Sequence, residues 1–280
     1  MKHSFVSWGK WELDFTEKTF VMGIINATPD SFSDGGRYNN VEKAVKGAVE
    51  LVRQGADIID VGGESTRPGS TKVEEKEELE RVIPTVREMA KHLTVPISVD
   101  TYKAEVARQA IEAGAAIIND VWGAKAESDM ARVAAEYDVP IILMHNRTNT
   151  DYGDLLEDMI NDVQESIDIC RRAGVKEDKI ILDPGIGFAK TYEQNLEAMR
   201  RMDEFTALGY PVLLGTSRKS LISKTLNLPP SERVEGTGAT VCLGIEKGCN
   251  IVRVHDVLEM SRMATMMDVM LGKRKVSSFG

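Results

Sequence analysis

Three cysteines, Cys170, Cys242 and Cys249, are all that the 280 residues contain, and no two of them form a Cys-x-x-Cys pair. That scatter excludes a disulfide framework and a thiolate zinc or redox centre, and it reads as buried bystanders in a reducing compartment. No run approaches the ~18 consecutive apolar residues that a membrane-spanning helix needs. Met1 to Phe15 sets Lys2, Lys10, Glu12 and Asp14 among isolated aromatics where a secretion signal would carry an apolar block, so a cytoplasmic location is expected. Positive charge is also short, with 35 Lys and Arg against 44 Asp and Glu and a formal net charge of −9. Without a basic field to collect phosphates, neither nucleic acid nor an anionic membrane is an expected partner, although local cations can still hold small anions. Linkers and low-complexity tracts are missing as well, so residues 1–280 are expected to form a single domain. Its 42% hydrophobic and 28% charged residues suit a soluble globular chain, and core size is not limiting at this length.

What is present is a recurrence of short β-branched runs: Val21 to Asn26, Ile58 to Val61, Ile97 to Asp100, Ile117 to Asn119, Ile141 to Met144, Ile180 to Asp183, Val212 to Gly215 and Ile251 to Val254. Their continuous apolar character, rather than strict alternation, is the habit of parallel strands covered on both faces. Between them lie helical patterns over Val41 to Arg53, Glu74 to His92, Lys103 to Ala113, Leu155 to Arg172 and Gln194 to Leu208. Gly55, Gly114, Gly174, Gly209 and Gly248 each close a helical stretch just ahead of a strand. A step of about 33 residues from strand to strand is the size of a strand–helix–strand unit. Eight such steps predict an α/β fold, a single-domain (β/α)8 TIM barrel with long first and second βα loops. An open doubly wound sheet is the rival, but the first βα turn reads Asn26-Ala27-Thr28-Pro29-Asp30 and lacks the Gly-x-Gly-x-x-Gly such sheets carry. The acidic run Glu74 to Glu80 suits the start of a helix, and Met263, Met266, Met267 and Met270 read as core or subunit interface.

In such a barrel chemistry gathers where strands end. Those positions hold Asn26, Gly62-Gly63-Glu64, Asp100, Asn119-Asp120, His145, Asp183, Ser217-Arg218-Lys219, and Arg253 with His255. Taken singly, Asp100 and Asp120 could cap helices, and His145 or His255 could be a satisfied buried imidazole. Acids, amides and cations converging on one rim are costly to desolvate without a ligand, so together they favour a site. Carboxylates accept from ring N–H and amino groups while Lys and Asn serve carbonyl and ring nitrogen, which suits a planar, nitrogen-rich heterocycle. A guanidinium can stack on its face. The loops Ala27 to Asn40 and Gly62 to Lys72 read as lids, with Asp34 and Arg67 a pair that could assemble over substrate. Ser217 to Ser220 opens a helix whose N–H groups could hold an anion, or caps that helix.

At these residues the sequence resembles the dihydropteroate synthases. The likeness is carried by Met22 to Gly36 (Met-Gly-Ile-Ile-Asn-Ala-Thr-Pro-Asp-Ser-Phe-Ser-Asp-Gly-Gly), by Asp60 to Gly69 (Asp-Val-Gly-Gly-Glu-Ser-Thr-Arg-Pro-Gly), and by Ser98 to Thr101, Asp183 to Gly185, Ser217 to Ser220 and Val252 to Asp256. The resemblance implies a barrel that joins p-aminobenzoate to 6-hydroxymethyl-7,8-dihydropterin diphosphate in folate biosynthesis and releases pyrophosphate. It implies that Asp100, Asn119, Asp183 and Lys219 bond the pterin, with Met144 lining the cleft and Arg253 stacking on the ring. Asn26 would help hold Mg²⁺, and Arg253 and His255 the diphosphate; Asp100, Lys219, Arg253 and His255 would be the catalytic set. Phe32, Asp34, Thr66, Arg67, Pro68, Phe188 and Ser220 would shape the p-aminobenzoate site, for which sulfonamides would compete. A homodimer formed through the last helices is implied too. Three other readings stay open: a corrinoid methyltransferase of the same pterin-binding class, a Schiff-base aldolase using Lys219, and a pterin-binding module without catalysis.

Overall fold

The computed structural model describes residues 3–27, 37–64 and 72–274. The chain starts with a hairpin, β1 (Phe5–Trp8) and β2 (Trp11–Asp14), paired antiparallel around Trp8 and Trp11. The sequence shows only isolated aromatics where this hairpin forms. Each strand is four residues long, too short for periodicity to stand out, yet Val6, Trp8, Leu13 and Phe15 are buried while Phe5, Ser7 and Glu12 are exposed. Lys179 reaches the Ser7 carbonyl, His3 donates to the Gly209 carbonyl at 3.1 Å, and Phe15 packs edge-on against Phe20. All three partners lie at or ahead of strand starts, so the hairpin covers the N-terminal end of the barrel and leaves the other end as the mouth.

The barrel follows as β3 (Phe20–Asn26), β4 (Ile58–Gly62), β5 (Ile97–Asp100), β6 (Ile117–Asp120), β7 (Ile141–Met144), β8 (Ile180–Asp183), β9 (Leu213–Leu214) and β10 (Ile251–Val254). Every pairing is parallel, in the order β8-β7-β6-β5-β4-β3-β10-β9, and a parallel bridge between Leu182 and Val212 joins the two ends into a ring. The apolar runs are continuous because both faces are covered: Ile58, Ile59, Ile117, Ile118, Ile141, Ile142 and Leu143 are all fully buried. Around the ring stand α1 (Arg37–Arg53), α2 (Glu75–His92), α3 (Ala104–Ala113), α4 (Met130–Glu136), α5 (Leu155–Ala173), α6 (Tyr192–Arg200), α7 (Met202–Thr206), α8 (Ser220–Leu226), α9 (Val234–Glu246) and α10 (Val257–Met270). The five glycines expected to stop helices all take positive φ, which is the conformation that ends a helix without a Cβ penalty.

One expected helix is two. The pattern over Gln194 to Leu208 breaks at Arg201, whose ψ of 22° leaves the helical region, and α7 restarts after it with Met202 and Phe205 completely buried. The methionines of α10 divide by face: Met263 and Met267 pack against the core, whereas Met266 and Met270 are 57% and 61% exposed. No helix among the described residues is long and apolar enough to cross a membrane.

Candidate active site

Register brings the strand ends together. Asn26 pairs with Gly62, Gly62 with Asp100, Asp100 with Asn119, and Met144 with Asp183, so one ladder after another terminates on the same rim. The rim encloses a cleft of about 420 Å³. Asn26, Asp100, Asn119, Met144, Asp183, Phe188, Lys219, Ser220, Arg253 and His255 all line it. Phe32, Asp34, Thr66, Arg67 and Pro68 lie outside the described residues.

At the floor of the cleft Arg253 bridges two acids. Its Nε donates to Asp60 Oδ2 and its Nη2 to Asp100 Oδ2, both at 2.6 Å. Asn119 Nδ2 donates to the same Asp60 oxygen at 3.2 Å. Burial pushes the Asp100 carboxyl up to about 7, with Arg253 opposing and Asp60 adding to the rise. Asp60 Oδ1, Asp100 Oδ1 and the Ser98 hydroxyl are buried without a hydrogen-bond partner among the described residues. Leaving such atoms unpaired costs roughly 1–3 kcal/mol each, which is a reason to expect a ligand or water against them. Asp60, fully buried, is a further group of the site, one that its mid-strand position does not mark as functional. The signal it carries is an acid in the middle of the apolar run Ile58-Ile59-Asp60-Val61.

One wall comes from the β8–α6 loop and the turn after β9. Asp183 Oδ1 accepts from Gly185 N at 2.7 Å, and burial raises its pKa against the pull of Lys219. Lys219 Nζ donates to the Ile186 carbonyl at 2.6 Å and sits 4.7 Å from the Phe188 ring centre. Burial lowers this amine to about 8, with Asp183 holding it up. Lys219 reaches inward because Arg218 turns the chain at φ 59° and is fastened there by a two-pronged pair with Asp256, at 3.0 and 2.5 Å. Ser217 accepts from the His255 backbone N–H at 3.1 Å, and its hydroxyl lies 2.9 Å from His255 Nδ1, which orients the imidazole at the cleft edge. Neither Ser217 nor Ser220 caps α8; Lys219 occupies the cap position.

Two strand-end residues have structural roles. Asp120 is buried and receives the backbone N–H groups of Trp122 and Ala124 at 2.8 and 2.6 Å, pinning a turn. His145 is fully buried, away from the cleft lining, with partners on both ring nitrogens. Gly185 makes the close approach of the next loop to His145 possible: its φ is +63°, and a Cβ there would lie 2.1 Å from the His145 carbonyl oxygen. Gly185→Ala is expected to lose about 2–4 kcal/mol, from left-handed strain plus overpacking, read as a lower urea midpoint.

Residues 22–255 match the family model described as pterin binding enzyme. The dihydropteroate synthase of Bacillus subtilis (strain 168) is 62% identical over 261 residues, covering 93% of this chain and 92% of that protein. A crystal structure of the Clostridium difficile dihydropteroate synthase in the presence of pteroic acid superposes with a TM-score of 0.90 at 50% identity, covering 92% of this chain and 98% of that one. The Xanthomonas albilineans dihydropteroate synthase with 4-aminobenzoic acid does so with a TM-score of 0.88 at 38% identity, over 93% and 95%. The chain therefore belongs to the pterin-binding enzymes and, within them, to the dihydropteroate synthases, transferases of folate biosynthesis.

Proposed function

We propose that the cleft binds 6-hydroxymethyl-7,8-dihydropterin diphosphate with its ring over the Asp100–Asn119–Asp183–Lys219 floor and joins the ring's methylene carbon to the amine of p-aminobenzoate, releasing pyrophosphate. The observation that carries this reading is the unpartnered, buried Asp100 Oδ1 beside a carboxylate, a carboxamide and an amine on one rim. A flat heterocycle with N–H, amino and carbonyl edges satisfies all of them at once. Arg253 has a guanidinium plane to lay against the ring and, with His255 on the same strand end, positive charge for the diphosphate. Met144 and Phe188 supply apolar walls.

As the carbon–oxygen bond to the diphosphate breaks, positive charge spreads into the pterin, and the Asp100 carboxylate is placed to stabilise it. The amine nitrogen of p-aminobenzoate then bonds to that carbon and gives up a proton. Phe188 and Ser220 also line the cleft, and against them the benzoate would lie and sulfonamides of similar shape would compete.

Among the described residues no three His, Cys, Asp or Glu side chains gather to hold a metal. Asn26 offers a hard oxygen at the mouth, and that sparse donor set fits Mg²⁺, which keeps its waters and binds largely through substrate phosphates. Held there by Asn26, Mg²⁺ would supply Lewis-acid stabilisation for the diphosphate leaving group. The exposed Met266 and Met270 on α10, with the neighbouring Leu271 43% exposed, offer an apolar face for the homodimer that we also propose.

Protein mixed with Mg²⁺, dihydropterin diphosphate and p-aminobenzoate should release pyrophosphate together with a coupled pterin product, and excess EDTA should abolish both. Pterin uptake without pyrophosphate release on adding p-aminobenzoate would identify a binding module instead.

A further inference from the structure

We propose that Lys190 is a positioning residue for this site: its buried side chain holds the β8–α6 loop in the shape that presents the Ile186 carbonyl and the Phe188 ring to Lys219. The inference rests on the reading of Lys219 as a pterin-contacting group. Lys190 itself does not line the cleft.

The loop Pro184 to Thr191 turns through left-handed φ values at Gly185, Gly187 and Ala189, and its one internal backbone bond among the described residues runs from Phe188 N to the Gly185 carbonyl at 3.0 Å. Two of its carbonyls, those of Gly185 and Phe188, face the Lys190 amine. Lys190 gathers them. Its Nζ lies 3.1 Å from the Gly185 carbonyl, 3.2 Å from the Phe188 carbonyl and 2.8 Å from His145 Nδ1. Three acceptors around one amine match the three hydrogens of an ammonium group.

The third acceptor is fixed from behind. His145 Nε2 lies 2.9 Å from Asp162 Oδ2, and the same oxygen takes Arg147 Nε. A carboxylate on that side keeps the imidazole proton on Nε2, so the Nδ1 lone pair faces Lys190. Burial pulls the imidazole down to about 4 and keeps it neutral, as an acceptor must be. Burial also draws the Lys190 amine down to about 7, with Asp183 opposing, and the three hydrogen bonds reward its proton. The Ala189 carbonyl is tied separately, by the Tyr152 hydroxyl at 2.8 Å, and Gly187 N by Asn195 Oδ1 at 2.6 Å. Lys190 is therefore the group that bonds two loop carbonyls on either side of Ile186, the residue whose own carbonyl receives Lys219 Nζ at 2.6 Å.

The test compares Lys190→Met, Lys219→Met and the double variant, titrating each with dihydropterin diphosphate and Mg²⁺ and measuring kcat alongside. Lys190→Met should weaken pterin binding about tenfold, with the change in KM exceeding that in kcat. In the Lys219→Met background the same change should add less than about twofold, because its effect runs through Lys219. A purely structural lysine would give additive losses, and additivity, or a Lys190→Met affinity within about twofold of wild type, overturns the proposal. Unchanged binding in Lys219→Met would sink the reading of Lys219 instead, and so separates the two failures. Lys190→Ala provides the second variant: ethylammonium should restore pterin affinity where n-propanol does not. Equal rescue by both, or failure of both Lys190 variants to fold, also overturns the assignment.

Discussion

Asp100→Asn is expected to lower kcat about 10²–10³-fold while the affinity for dihydropterin diphosphate changes less than tenfold. The carboxamide keeps the shape of the side chain, and its one oxygen can still accept from Arg253 at the Oδ2 position, with the NH2 standing in place of the unpartnered Oδ1. What it removes is negative charge, needed only as the ring becomes cationic. Because burial holds this carboxyl up to about 7, the group loses its charge as pH falls through that value. Wild-type kcat/KM should therefore rise with pH through about 7, and the Asn variant should lack that limb. Rate and affinity falling by equal factors would contradict a role confined to the transition state.

Arg253→Met should be the most damaging single change to the fold as well as to the reaction. Arg253 is the cation between Asp60 and Asp100, at 2.6 Å from each, and its loss leaves two buried carboxylates facing each other. Removing one partner from such an arrangement typically costs about 3–5 kcal/mol. Without the guanidinium, which opposes the rise, the buried Asp100 carboxyl binds a proton still more readily than in the unfolded chain, so the native state takes up a proton as pH falls and the deficit shrinks. Urea midpoints at pH 7 and pH 5.5 should show this partial recovery relative to wild type. Activity should not recover, because the positive charge for the diphosphate is gone at every pH; kcat/KM is expected to stay at least about 10²-fold down. A variant equally stable to urea at pH 7 would refute the account of the clamp.

The ring of strands was legible because burial on both faces writes itself as unbroken Ile and Val runs, and because a glycine stop precedes so many of them. The rim was legible because a polar residue ending an apolar strand has few other reasons to be there. The remainder failed for distinct physical reasons. The β1–β2 hairpin is stabilised by contacts with the barrel pole, which four-residue strands do not announce. The break at Arg201 is a tertiary effect, in which burying Met202 and Phe205 outweighs continuing one helix. Asp60 and Lys190 each act through another residue, so nothing in their spacing sets them apart; only the distances reveal what they hold.

The joint between β8 and β9 has a consequence of its own. Seven neighbouring pairs of staves around the ring share between two and five residues in register, whereas this one is fastened by the lone Leu182–Val212 bridge. Opening a seam costs least where the fewest backbone hydrogen bonds must be surrendered. The slackest joint thus lies directly beneath Asp183 on one side and the turn to Lys219 on the other, so thermal breathing of the hoop is concentrated between the two jaws that would grip the pterin edge, while the Arg253 clamp sits among better-laced staves.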